Sequence, residues 1–278
     1  MPDNLFYFCP ISSDVRKSWL RALLIDNRIY FRSREQLNDP NELRPKISFV
    51  GPEELMRSYA RNLLSRWPHR LSPAKRLHEE NKLIYRFRHT PDQFEGALHE
   101  ILDRVGLLCL SATAASTLLW SHYADGHRGV CIQFDAEIGL FQAAQQVRYT
   151  DRVPVINRLV DTNDEMLMKS VFTKGEDWSY EEEWRVMARW RDEDRIEQHL
   201  ARFEALRTFL KSQNGPGYYD FPREAIRSVI LGSRIEPSAE EWLREMLARA
   251  YAPISIKRME SSRTEFANQR DQAGMIIG

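Results

Sequence analysis

From Tyr180 to Trp190 the sequence YEEEWRVMARW alternates with a period of two, and only an extended strand gives alternate residues a common face. Glu182, Trp184, Val186, Ala188 and Trp190 fall on one side. Glu181, Glu183, Arg185, Met187 and Arg189 fall on the other. The first side is apolar beyond Glu182 and needs a core to pack on, so the chain must supply further strands and a covering layer. The second side presents two carboxylates and then an arginine. Carboxylates sharing a face repel, which raises one pKa unless a cation or substrate hydroxyls intervene, and active sites use that arrangement. The same pattern also suits a solvated outer face on which Arg185 neutralises its neighbours.

Short apolar runs elsewhere supply the partner strands: Leu5–Phe8, Ile29–Phe31, Gly106–Ser111, Gly129–Phe134, Gln146–Tyr149, Ser228–Gly232 and Ile254–Met259. Helical patterns separate them. Asp14 opens one with Val15, Trp19 and Leu23 at i+4 spacing. Ser116 caps a short one carrying Leu119, Trp120 and Tyr123, ended by Gly126. Others run from about Asn163 to Phe172, through Ile196, Leu200, Phe203 and Leu210, and onward from a Ser238–Glu241 capping box. The stretch from Pro52 to Val105 reads as helices, with Phe94, Leu98, Ile101, Leu102 and Val105 on one face. It defines an expected helical insertion at about 46–105. The polar residues 261–278 read as a mobile tail. No Gly-rich phosphate loop follows any strand, which argues against a doubly wound nucleotide fold. The expectation is a single α+β domain over 1–278, with a mixed, mostly antiparallel sheet and flanking helices.

Composition narrows the function. The 278 residues carry 40 Lys plus Arg against 40 Asp plus Glu, so no long-range charge draws the chain to nucleic acid or an acidic membrane. Three cysteines, Cys9, Cys109 and Cys131, form no CxxC pair, so neither a disulfide framework nor a multi-Cys zinc site is expected. MPDNLFYF lacks the basic start and apolar stretch of a signal peptide, and no apolar run approaches the roughly 20 residues that span a bilayer. The reading is a cytoplasmic protein without a membrane partner. Asn38, Asp39 and Glu42 contain oxygen ligands, but Asn38-Asp39-Pro40 is first a turn, with the Asp39 carboxylate expected to accept backbone N–H bonds. No metal is expected. The tract Leu64–Arg76 is basic, with one aromatic, and serves either as a phosphate contact or as a solvated helix end.

The segment Trp120–Asp135 leads from a short helix through a turn into a buried strand. Trp120, Tyr123 and His127 combine aromatic faces with a titratable group, the mixture that small-ligand pockets favour. Trp120 and Tyr123 at i and i+3 could equally cover the sheet, with His127 at the surface.

Four segments in order resemble an uncharacterised bacterial domain-of-unknown-function family, some of whose members lie near anti-phage genes. They are Phe6-Tyr7-Phe8, Leu37-Asn38-Asp39-Pro40, Trp120 to Tyr123 with His127 to Cys131, and Lys174 with Trp178 to Arg185. The order of elements, with a Ser-bearing strand before a Glu-x-Glu element, also resembles the ADP-ribosyltransferase fold. That resemblance implies an NAD-dependent ADP-ribosyltransferase or NAD glycohydrolase acting as a bacterial toxin or anti-phage effector. NAD would be a substrate, the acceptor a protein or nucleic acid, and a cognate antitoxin or defence partner is implied. It assigns Glu183 to the ribose 2′-hydroxyl and the oxocarbenium charge. Glu181 would orient the acceptor, Ser111 and Thr113 would stand on the serine-bearing strand, and Tyr123 would stack on nicotinamide. Such enzymes present Arg or His on the first strand. Here that strand offers Tyr7, and Arg32 after the second strand stands in. The other reading keeps the fold as a non-catalytic binding or sensor module. The surroundings of Glu183 decide between them.

Overall fold

The structure, a computed structural model, describes residues 1–67, 71–189, 215–250 and 253–260. The expected helix through Ile196 and Leu210, Trp190, and the tail at 261–278 lie outside the described residues. The chain forms two compact units, one from 1–37, 104–149 and 176–278, the other from 38–103 and 150–175. The elements in chain order are β1 (Asn4–Cys9), α1 (Asp14–Leu24), β2 (Arg28–Phe31), β3 (Lys46–Ser48), α2 (Glu53–Ser65), α3 (Pro73–His89), α4 (Glu95–Leu102) and β4 (Val105–Ser111). Then follow α5 (Thr117–Tyr123), β5 (Val130–Asp135), β6 (Gln145–Gln146), β7 (Arg148–Thr150), β8 (Val155–Asn157), α6 (Asn163–Val171), β9 (Thr173–Gly175) and β10 (Glu183–Arg189). Last come β11 (Gly217–Asp220), β12 (Ile226–Leu231), α7 (Pro237–Ala248) and β13 (Ser255–Arg258).

In the first unit a seven-stranded sheet has the order β13-β12-β5-β1-β4-β10-β6. It is antiparallel except for the parallel pair β12–β13. This is the mixed, mostly antiparallel α+β sheet expected. β1, β4 and β5 are near-continuous apolar runs because both sheet faces are covered. On one face Leu5, Leu108, Leu110, Ile132, Phe134, Val186 and Val229 meet Leu20, Leu23 and Leu24 of α1 and Leu243, Met246 and Leu247 of α7. On the other, Phe6, Phe8, Cys131 and Ile230 meet Leu119 and Trp120 of α5. The Trp120 indole N–H donates to the Ala114 carbonyl at 2.7 Å, so the large ring is buried without an orphaned donor.

β1 pairs with β4 only at Phe6↔Ser111. Further along the same edge of β4, Arg32 exchanges both backbone hydrogen bonds with Leu107, each at 2.8 Å. β1 and the chain beyond β2 therefore diverge across one edge, which brings Tyr7 and Arg32 together.

Two helix readings need correction. α1 is capped by the Ser13 hydroxyl and buries Leu20, Leu23 and Leu24, whereas Val15 and Trp19 are 59% and 54% exposed. The i+4 spacing found the helix, but of its three residues only Leu23 lies on the buried side. α7 begins at Pro237, a residue suited to the first helical turn, and shows no side-chain cap; the expected Ser238–Glu241 box is absent from it.

The second unit carries α2, α3, α4 and α6. Phe49, Tyr59, Phe87 and Phe94 form its aromatic centre, with Phe49 stacked on Phe87 at 4.2 Å. The elements described between Pro52 and Leu102 are helical, and ahead of them β3 pairs in parallel with β8. Residues 150–175, distant in sequence, belong to the same unit. The Asp39 carboxylate accepts the Asn41 N–H at 2.8 Å, the turn bond expected of it.

Candidate functional site

The strand expected from Tyr180 begins later, at Glu183. Glu176–Glu181 form a 3₁₀ turn, and Glu182 takes a left-handed φ of 44°. A non-glycine residue there costs of order 1 kcal/mol and persists only where its surroundings fix it. The Glu182 carbonyl accepts the Ala112 N–H and the Glu183 carbonyl accepts the Val147 N–H, both at 2.9 Å. These bonds hold the bend on either side. The solvated-face reading is overturned: Glu182 is exposed, while Glu181 and Glu183 are buried, at 4% and 3% exposure.

Glu183 pairs across the sheet with Ser111, and Arg185 with Cys109. The Arg185 guanidinium grips Glu183 bidentately, Nε to Oε1 at 2.7 Å and Nη2 to Oε2 at 2.9 Å. Arg185 is fully buried, and burial pushes its pKa down to about 9, which leaves it charged at neutral pH. The Tyr149 hydroxyl oxygen accepts the Glu183 backbone N–H at 2.7 Å. Both Glu183 oxygens are thus engaged by a buried cation. Glu183 is a paired carboxylate inside the sheet, not an exposed cleft carboxylate.

Glu181 has the company expected of Glu183. The Tyr123 phenol, at the end of α5, donates to Glu181 Oε1 at 2.6 Å. Ser111 Oγ donates to the Glu181 carbonyl at 2.7 Å and accepts the Thr113 N–H at 3.1 Å. One hydroxyl therefore holds the Glu181 carboxylate, and a second, from a different element, holds the backbone carbonyl of the same residue. Tyr180, the neighbouring residue, lies against the rings of Trp178 and His122 at 6.1 and 6.2 Å.

The turn after α5 runs through three successive left-handed residues, Asp125, Gly126 and His127. It is held from outside: the Asp125 carboxylate accepts Ile11 N–H at 2.7 Å, Ser12 N–H at 2.9 Å and the Arg16 guanidinium. His127 stacks against Trp120, with centroids 6.2 Å apart, and its Nε2 lies 3.4 Å from Ser121 Oγ. Burial, and then the nearby Arg234, push the His127 pKa down. Tyr7 and Arg32 act on each other's charge. Burial pushes the Tyr7 phenol up to about 12 against the pull of Arg32, and the Tyr7 phenol in turn raises Arg32.

Of the expected site residues, Glu181, Ser111 and Tyr123 share one hydrogen-bonded cluster. Tyr7 and Arg32 form a second group and His127 a third. Trp120 is fully buried in the core behind α5 and offers no face to a ligand, so covering the sheet is its role. Sequence reasoning missed Tyr149 and Asp125. Tyr149 acts through a backbone contact that no pattern announces. Asp125 carried a signal, since an Asp-Gly pair closing a helix marks a left-handed turn. Lys174, noted only as part of a motif, is buried 3.9 Å from Glu42 in the second unit. Among the described residues no group of three or more His, Cys, Asp or Glu is placed to hold a metal ion, and no helix is long and apolar enough to cross a membrane.

Residues 119–186, from α5 into β10, match the model of a family described as a protein of unknown function, DUF2971. Over that stretch the chain is similar to an uncharacterised family, and the match includes Tyr123, Glu181, Glu183 and Arg185. No curated protein and no solved structure matches the chain.

Proposed function

We propose that this chain is an NAD-dependent enzyme with an ADP-ribosyltransferase-like fold that breaks the nicotinamide–ribose bond, as an ADP-ribosyltransferase or an NAD glycohydrolase. One observation carries the reading: Glu181 is a buried carboxylate fixed by the Tyr123 phenol at 2.6 Å and, through its carbonyl, by Ser111, just before a left-handed break at Glu182. Strain of that kind collects at functional sites. In the proposed reaction the C–N bond of the ribose breaks, and nicotinamide leaves with the electron pair. The positive charge left on the ribose is stabilised by the carboxylate until an acceptor or water adds and gives up its proton. Glu181 takes the charge-stabilising role first expected of Glu183. The Glu183–Arg185 pair is neutral as a whole and supports the strand. Arg32, held beside Tyr7, is the cation suited to the NAD phosphates.

Such an enzyme in a bacterial cytoplasm would act as a toxin or anti-phage effector on a protein or nucleic-acid acceptor, held in check by a cognate antitoxin or defence partner. The test is nicotinamide release and transfer of labelled ADP-ribose to cell extract by the full chain and by Glu181→Gln and Tyr123→Phe. Losing one charge stabiliser should cost about 10²–10³ in rate for Glu181→Gln. A wild-type protein that neither binds nor consumes NAD overturns the reading. The Glu183–Arg185 pair favours a second reading, a non-catalytic binding or sensor module, because it spends the second motif carboxylate on an internal ion pair. NAD binding without turnover, equal in wild type and Glu181→Gln, would select it.

A further inference from the structure

On the α1 and α7 side of the first unit, away from Glu181, the two helices leave a groove of about 340 Å³. α1 lines it with Asp14, Lys17, Ser18, Arg21 and Ile25, and α7 with Trp242, Glu245, Met246 and Arg249. Both sets recur at intervals of three and four residues, so each is one continuous stripe on its helix. From Asp14 to Ile25 the α1 stripe runs about 16 Å, or three turns. The groove is therefore long and shallow, with Ile25, Met246 and Trp242 supplying apolar surface.

Its charges set it apart from its neighbourhood. Arg16 on the same α1 is tied to Asp125, and Arg244 of α7 and Arg258 of β13 are tied to Glu240 of α7. Lys17, Arg21 and Arg249 form no ion pair among the described residues. Lys17 instead sits over the Trp242 ring, 5.2 Å from its centroid, which fixes one cation in place. Asp14 and Glu245 also line the groove, so three cations face two carboxylates on a chain whose overall net charge is zero.

From this geometry we propose that the α1–α7 groove docks an acidic amphipathic helix of a partner protein. A helix laid along the seam places its apolar stripe on Ile25, Met246 and Trp242. Its carboxylates then meet Lys17, Arg21 and Arg249. A helix of about three turns matches the length of the α1 stripe. The proposal does not depend on the reaction at Glu181.

The test is selection of a phage-displayed library of 16-residue peptides on the immobilised full chain, followed by binding of the enriched peptides measured by fluorescence anisotropy. The expected result is enrichment of net-acidic peptides with apolar residues at helical spacing. Their affinity should fall at least tenfold in an Arg21→Glu, Arg249→Glu double variant and at raised salt. Circular dichroism checks that the variant folds. Enrichment of neutral or basic peptides, equal binding to the double variant, or no enrichment at all overturns the proposal. So does sedimentation showing that the chain self-associates through this groove, because its occupant is then a second copy.

Discussion

Replacing Glu183 with Gln separates a structural carboxylate from an exposed one. Glu183 is 3% exposed and accepts two hydrogen bonds from an arginine that is not exposed at all. The substitution keeps the shape and one acceptor oxygen, but turns the other side of the fork into a donor facing the guanidinium. Arg185, its pKa at about 9, stays charged at neutral pH and loses the carboxylate that grips it bidentately. Removing one partner of a buried pair costs about 3–5 kcal/mol, and the retained acceptor places this case near 3. At ~2–4 °C per kcal/mol for a protein of this size, the melting temperature should fall by roughly 6–12 °C. A Glu183→Gln, Arg185→Met double variant should recover much of the loss, because the buried cation is then removed together with the carboxylate that compensates it. Thermal and urea melts of the four proteins measure both effects. A Glu183→Gln protein that melts within a degree of wild type would refute the argument, and so would a double variant less stable than the sum of the singles.

Four further outcomes follow from the same contacts. Asp125→Ala removes the acceptor for two backbone N–H groups and Arg16 and should cost about 2–3 kcal/mol in urea melts, with Asp125→Asn recovering part. His127 has a folded-state pKa below its ordinary 6.5, so below pH 6.5 the unfolded chain takes up a proton that the folded chain refuses; stability should rise with pH through that window and fall on acidification, and His127→Gln should flatten the slope in melts taken between pH 5 and 7. Gly232→Ala would put a Cβ 2.2 Å from the His127 carbonyl oxygen, so it should destabilise by about 1–3 kcal/mol or more. Gly96→Ala, in α4 with nothing within 4 Å of the new Cβ, should stabilise by about 0.5–1 kcal/mol in the same melts.

The parts of this fold that rest on local chemistry were readable in the sequence. Period-two alternation placed β10, and apolar runs placed β1, β4, β5 and β12. The Ser116 cap and Gly126 bounded α5, and turn chemistry fixed the Asp39 bond. What failed was information about the far side of each element. The i+4 spacing of Val15 and Trp19 could not say which face of α1 meets the sheet, because the buried stripe of Leu20, Leu23 and Leu24 is offset from it. The second unit draws on 150–175 as well as the helical stretch, and no local pattern links segments so far apart. The site shows the same limit. Glu181 and Glu183 were recognised as the residues of interest, but their roles depend on Tyr123 and Arg185. The strand pattern offered Arg185 only as a surface counter-charge, and the break at Glu182 that separates the two glutamates carries no glycine to announce it.

The strand order has a consequence for how the chain is made. β1 leaves the ribosome before the other strands of its sheet, yet it lies between β4 and β5, and its longest ladder is with Val130 to Asp135. At ~5–20 residues per second, roughly 6–25 s pass between synthesis of Cys9 and of Asp135. During that interval the nascent segment LFYFC, apolar and uncharged, has neither edge paired. A segment of that composition is one that chaperones hold and that aggregates when they are scarce. α2, α3 and α4 emerge in the meantime and find local partners at once. Yield in a fast-translating host should therefore be governed by the protection given to the β1 segment, and slower synthesis or added chaperone should raise the soluble fraction without altering the stability of the finished protein.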